Sequence, residues 1–404
     1  MRSEPPTGDE LTRLLVSMKR NVLERVAQEP APAKRMSVRR IFGLGLGVVA
    51  LFGIGAGAAF ALGVISAPQE DSATSTTDAP TAPPTASPRV EYTVTAGQPA
   101  SRYGLDCGTV VDPALVSGLF TTEVAAVDPI LSESGVGIAI PRRSAILAIG
   151  GSVCEWSNGV PTNDQYGVGP DYVGVTISVV PRATAGWSEY ATMHGMPAEE
   201  SQCDETWCWA SSAVGDAWVT ISAYGGEELA ADPSGWQSLV DAAVASVSAA
   251  GPAAAPIMPE RMTMPASEDC DAVIPVDEVR SITATPDAQA MVGAGGWSEW
   301  AEARLHADAW GCGWGVDDLS RAARVDWLPQ GRWAYLRMLH AGTSTPIQLA
   351  GLASSDVASV RCDDRFGTTC AVDLAVGRDW YNVTANDEAT AIALAEALLA
   401  RLTG

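Results

Sequence analysis

Eight cysteines, three histidines and thirteen tryptophans are the residues of this chain with the most specialised chemistry. A thiol either binds metal, attacks a substrate or pairs with another thiol. All eight, Cys107, Cys154, Cys203, Cys208, Cys270, Cys312, Cys362 and Cys370, lie beyond residue 100. An even count confined to one part of a chain fits disulfides made in an oxidising compartment. Zinc is the competing use. No Cys-x-x-Cys pair occurs, however, and His194, His306 and His340 are not at ligand spacing. Neither a metal site nor a cofactor is expected.

Catalysis needs an activated nucleophile, a carboxylate pair or a metal. The chain has no Gly-x-Ser-x-Gly elbow and no His-Glu-x-x-His helix, and its glycine run Gly43-Leu-Gly45-Leu-Gly47 lacks the Lys-Ser/Thr of a phosphate loop. Acidic doublets stand at Glu199-Glu200, Asp317-Asp318 and Asp363-Asp364, without the alternating spacing of a calcium loop. No catalytic residue is assigned, and the protein is expected not to be an enzyme. Tryptophan offers a different chemistry, stacking on a sugar or packing on a partner. The best candidate binding surface is Trp207 and Trp209 in Cys203-Asp-Glu-Thr-Trp-Cys-Trp209, where a tight bridge would turn both rings outward.

An internal repeat organises these residues. Cys107 is followed by Val110, Val111, Val116 and Leu119, and Cys270 by Val273, Ile274, Val279 and Ile282 in the same spacing. Cys154-Glu-Trp156 is echoed by Cys312-Gly-Trp314, Cys203 by Cys362, and Cys208 by Cys370. Trp218-Val-Thr-Ile-Ser-Ala223 lines up with Trp380-Tyr-Asn-Val-Thr-Ala385. The chain is therefore read as two copies of one domain, residues 91–250 and 266–404, joined by a linker at 251–265. Four cysteines per copy, paired alike, leave three connectivities. The one chosen is Cys107–Cys154 with Cys203–Cys208, and Cys270–Cys312 with Cys362–Cys370. The recurring Trp156, Trp314, Trp218 and Trp380 are expected in the core.

Within each copy, short helices are predicted after the first cysteine, over Asp112–Phe120 and Val276–Ile282. Alternation predicts strands over Tyr172–Val180, Trp218–Ala223 and Trp333–Leu339. Apolar residues at helical spacing predict closing helices over Pro233–Ala249 and Glu388–Leu402, the second capped near Asn386. An apolar helix face must lie on a sheet. The expected fold class is α+β, with one transmembrane helix followed by two tandem copies of a small disulfide-stapled sheet-plus-helix domain.

The transmembrane expectation comes from Ile41–Ala67, which carries no charge. At about 1.5 Å per residue such a run spans a roughly 30 Å hydrocarbon core with some tilt. Residues 1–40 hold an excess of Lys and Arg, which predicts a cytoplasmic segment with a short amphipathic helix and the bulk of the chain outside. The length of both regions argues against a cleaved signal peptide. The expected placement is thus the plasma membrane, single pass, with the N-terminus cytoplasmic. Residues 68–90 are a Pro/Thr/Ser linker with nothing to bury. Gly53 and Gly57 have the spacing of a close helix–helix contact, a weak pointer to a homodimer. The net charge of −23 disfavours nucleic acid as a partner.

An early cysteine before a short helix, a Cys-x-Trp strand, a late cysteine pair, and a closing strand and helix resemble the extracytoplasmic sensor-type domains of actinobacterial serine/threonine kinases and related secreted lipoproteins. The resemblance covers both copies. It implies a two-disulfide α/β domain used for sensing or binding in the cell envelope. The chain departs from that family in having neither a kinase domain nor a lipidated cysteine. The resulting expectation is a non-enzymatic, membrane-anchored envelope protein that binds a wall, lipid or protein ligand. The alternatives are a hydrolase whose acidic pair is not visible in the sequence, and a purely structural tether.

Overall fold

A computed structural model describes residues 97–134, 139–162, 171–181, 187–193, 200–204, 206–225, 229, 233–255, 269–292, 298–317, 320–363 and 369–403. The first copy opens with two short helices, α1 (Cys107–Val110) and α2 (Pro113–Ser117). Asp106 and Asp112 cap them by accepting from the backbone N–H of Thr109 and Ala114. There follow β1 (Ala125–Val127), α3 (Pro129–Ser134), α4 (Arg142–Ala148), β2 (Ser152–Ser157), β3 (Gly174–Pro181), α5 (Trp187–Met193), β4 (Glu200–Cys203), β5 (Trp207–Val214), β6 (Ala217–Tyr224) and α6 (Pro233–Ala250).

The second copy repeats the plan with α7 (Cys270–Val273), α8 (Val276–Thr283), β7 (Gln289–Val292), α9 (Glu299–His306), β8 (Gly311–Gly315), β9 (Arg321–Leu328) and α10 (Arg332–His340). It continues with β10 (Thr345–Ile347), β11 (Val357–Asp363), β12 (Thr369–Val376), β13 (Asp379–Ala385) and α11 (Glu388–Thr403). The first sheet runs β1-β2-β3-β6-β5-β4 and the second β7-β8-β9-β13-β12-β11-β10, antiparallel throughout. The orders match strand for strand, with β10 as an addition to the second copy.

One face of each sheet carries its own apolar core. In the first copy, Cys154, Trp156, Val175, Ile177, Val179, Val219 and Ile221 pack under α6 through Trp236, Leu239, Ala243 and Val247. In the second, Cys312, Trp314, Val325, Trp327, Val372 and Val383 pack under α11 through Leu394, Ala395, Leu398 and Leu399. The α11 cap is Asp387, which accepts from the backbone N–H and the hydroxyl of Thr390 at 2.9 and 2.7 Å.

All four disulfides lie within a copy and follow the expected connectivity: Cys107–Cys154, Cys203–Cys208, Cys270–Cys312 and Cys362–Cys370. The long bridge ties α1 to β2 and its counterpart ties α7 to β8. The short bridges join residues directly opposite on β4/β5 and β11/β12. In the chain-entropy account, replacing Cys107 and Cys154 by serine costs about 4 kcal/mol, against about 2 for Cys203 and Cys208. Urea unfolding of the two double variants checks this order.

Two sequence expectations need correction. Trp333–Leu339 is not a strand but lies in α10. The apolar residues fit period two over so short a stretch, yet Trp333, Ala334 and Met338 are buried together, as one side of a helix requires. The strand is β9, just before it. Second, among the described residues no helix is long and apolar enough to cross a membrane. The long helices α6 and α11 have exposed residues such as Gln237, Ser238, Asp241 and Glu388 opposite their buried face. Ile41–Ala67, with Gly53 and Gly57, lies outside the described residues. The transmembrane element of the expected fold class and the single-pass plasma-membrane placement are therefore withdrawn.

A third core joins the copies. Ile146, Val153, Val180, Trp187 and Trp218 from the first meet Ala303, Leu328, Trp333, Tyr335 and Trp380 from the second. Val180 and Leu328 are equivalent, each directly opposite the repeated tryptophan on the next strand. Arg337 pairs with Asp128 at 3.4 Å and the Arg361 guanidinium donates to the Ala139 carbonyl at 2.9 Å, both across this boundary.

Candidate functional site

The second face of each sheet is where the copies part company. Strand alternation sends every other residue there. In the first copy the strands place Val180 opposite Trp218, then Ser178 beside Thr220 and Ser211, then Glu155 beside Thr176, Ser222 and Trp209, then Gly174 beside Tyr224 and Trp207. Only the first of these rungs is apolar, and it belongs to the core between the copies. The next three form a surface of hydroxyls and aromatic rings. Ser178, Thr220, Ser211, Glu155 and Trp209 are buried, while Thr176, Ser222, Tyr224 and Trp207 are half-buried. The Thr220 hydroxyl is buried without a hydrogen-bond partner among the described residues.

Arginine and carboxylates close one side of this face. Glu155 lies between Cys154 and Trp156 but points away from the disulfide core, as alternation demands. Its carboxylate accepts from Ser132 Oγ at 2.7 Å and Tyr172 Oη at 2.8 Å, and pairs closely with Arg143 Nη1. Arg143 also holds Glu133, through Nε at 3.4 Å and its backbone N–H at 3.0 Å, and donates to Thr176 Oγ1 at 3.1 Å. Burial alone would ease the proton off Arg143, but Glu155 and Glu133 outweigh it and hold the guanidinium charged. Burial and the neighbouring Glu155 charge push the Tyr172 phenol well above its ordinary range. This is a filled ionic knot. Both carboxylates are committed to one arginine.

The second copy reaches this site through α9. Ser298 caps that helix, accepting from the Ala301 N–H at 3.2 Å, and Glu299 and Trp300 form its first turn. The Arg142 guanidinium lies 4.6 Å over the Trp300 ring, a cation–π contact between the copies. Burial pushes the Glu299 carboxyl up, against the pull of Arg142 and Arg143. A raised folded-state value means stability present at low pH and lost as pH rises. Glu299→Gln is accordingly expected to raise Tm at pH 7 and leave it unchanged near pH 4, as calorimetry at both pH values checks.

The aromatic members cluster at the far end. Tyr224 and Trp207, directly opposite on β6 and β5, are near-parallel at 21° with centroids 6.4 Å apart. Tyr172 meets Tyr224 edge-on at 6.0 Å. Of the two tryptophans singled out in the sequence, Trp209 is buried at 5% exposure and Trp207 half-buried. They share this second face, next to the Cys203–Cys208 bridge, rather than both turning outward. Asp204 fixes the turn between the cysteines, accepting from Thr206 and Trp207 N–H at 2.7 and 2.9 Å.

In the second copy the same positions are ionic and closed. Ser178, Thr220 and Ser211 are replaced by Asp326, Asn382 and Asp373, in register. Asp373 accepts from Arg361 Nε, Trp380 Nε1 and Asn382 Nδ2 at 2.9, 2.9 and 2.7 Å. Asp326 is held by Arg304 Nη2 at 3.1 Å and Arg324 Nη2 at 2.8 Å. Burial would raise the Asp326 carboxyl, but the two arginines outweigh it and hold it low. Gly313 stands where the first copy has Glu155, and Ala371 where it has Trp209.

No group of three or more metal-ligating side chains occurs among the described residues. His306 stacks on Trp187 at 6.3 Å and His340 is exposed on α10, while His194 lies outside the described residues. Sequence reasoning missed Glu133, Arg143, Glu155, Tyr172, Thr176, Ser222 and Tyr224. One signal was present: a glutamate inside Cys-x-Trp, where the second copy has glycine. Comparison with protein families, curated proteins and solved structures finds no match to this chain.

Proposed function

We propose that the protein is a non-enzymatic binding protein whose first copy holds a ligand against the second face of its sheet. The observation that carries this reading is the contrast between equivalent positions. Where the second copy lines that face with a charged Asp326–Asn382–Asp373 network, the first has the neutral hydroxyls of Ser178, Thr220 and Ser211, buried, and of Thr176 and Ser222, half-buried, beside three aromatic rings. A sheet face of hydroxyls is a poor core and a good recognition surface, because hydroxyls both donate and accept. Four internal disulfides fit work in an oxidising environment. Among the described residues, the buried acidic pair beside the face, Glu133 and Glu155, is tied up by Arg143, which favours binding over hydrolysis.

Thermal unfolding of the chain with a panel of neutral oligosaccharides, phosphorylated sugars, phospholipid micelles and short peptides tests the reading. A true ligand at one hundred times its Kd stabilises by about 2.7 kcal/mol, and mass spectrometry should recover it unchanged. Stabilisation by no class, or conversion of a bound compound, contradicts the proposal.

A further inference from the structure

The geometry points to an uncharged glycan as the ligand of the first copy's second face, an inference that rests on the binding function proposed above. Three properties of the face select that chemistry. First, sugar rings present apolar C–H faces that lie on aromatic rings, and the near-parallel Tyr224 and Trp207 offer two such surfaces on adjacent strands. Both rings are half-buried rather than sealed, and no hydrogen bond engages the Tyr224 hydroxyl among the described residues.

Second, the floor next to these rings is built of hydroxyls. Thr176 and Ser222 are half-buried and directly opposite on neighbouring strands, with Thr220 and Ser178 one rung further in. Neighbouring strands are about 4.8 Å apart, so the floor is a grid of groups that donate and accept at short repeat. A polyhydroxylated ligand matches such a grid better than an acyl chain does. The apolar rung of this sheet, Val180 and Trp218, is already consumed by the core between the copies.

Third, the charge balance disfavours anions. Arg143 is shared by Glu133 and Glu155, and Arg142 lies over Trp300. The chain as a whole carries −23, which repels phosphorylated or carboxylated ligands. A peptide strand is also disfavoured on the floor of the face, because β3 and β6 are each paired on both sides. The wall formed by α9 places Glu299 and Trp300 beside the ionic knot, so the site draws on both copies.

The test is calorimetric titration of the full chain with neutral oligosaccharides, namely β-1,4-linked N-acetylglucosamine, cellulose-, maltose- and arabinose-type tetramers. Sugar phosphates, phospholipid micelles and peptides are run alongside. The wild type should bind at least one neutral tetramer. Tyr224→Ala and Trp207→Ala should each weaken it roughly tenfold or more, as loss of a central aromatic contact does. Tyr224→Phe should keep most of the affinity, and Ser222→Ala, a small change at a half-buried hydroxyl, should weaken binding by about threefold to tenfold while leaving Tm intact. Binding of another class only, lost in the Tyr224 and Trp207 variants, overturns the glycan inference and leaves the binding function standing. Neutral-glycan binding untouched by all three site variants overturns the site. Binding of nothing overturns both.

Discussion

Replacing Arg143 with leucine is expected to destabilise the protein by about 3–5 kcal/mol at neutral pH, the cost of breaking a buried ion pair from one side. Glu155 is 2% exposed and Glu133 6%, so neither finds water in place of the lost guanidinium. Ser132 and Tyr172 still donate to Glu155, but neutral donors do not cancel a buried charge. Urea unfolding of the variant at pH 7.5 measures this. A triple variant adding Glu133→Gln and Glu155→Gln should recover part of the loss at pH 7.5. A deficit under about 1 kcal/mol would mean the knot is solvated and does not close that side of the face.

The second large effect concerns the core between the copies. Trp218 and Trp380 are both 0% exposed, and truncating either to alanine is expected to cost about 3–5 kcal/mol, the usual range for deleting a buried tryptophan. Because that core draws on both copies, the wild type is expected to melt in one cooperative transition. Trp218→Ala or Trp380→Ala should split it in two, as the copies lose their common packing. In contrast, Trp156→Ala empties only the first copy's own core and should lower the single transition without splitting it. Differential scanning calorimetry decides between these patterns. Two transitions already present in the wild type would contradict the shared core.

Much of this architecture is legible from local signals. Cysteines can be aligned by spacing alone, and once the repeat is recognised the pairing problem collapses to three choices. The closing helices announce themselves because Leu239, Val240, Ala243 and Val247, or Ile392, Ala395, Leu398, Leu399 and Leu402, recur at helical period. Strand alternation also marked β3 and β6. What alternation does not say is what covers each face. Trp218 and Trp380 look like core residues, yet the core they enter is shared between the copies, a contact with no periodicity in sequence. Glu155 was hidden between two residues that drew attention to the opposite face. Trp333–Leu339 was misread because five to seven residues fit period two and period 3.6 nearly equally. Trp207 and Trp209 were picked for their nearness to a tight disulfide, and the structure places them on the polar face through strand register instead.

The most direct test of the account is hydrogen exchange of the full chain with and without a saturating ligand from the panel above. The account predicts slowed exchange confined to residues 172–178, 207–211 and 220–224 of the first sheet and to residues 298–306 of α9, with the β9, β12 and β13 strands of the second sheet unchanged. Protection centred on that second sheet, or on the outer faces of α6 and α11, would contradict it.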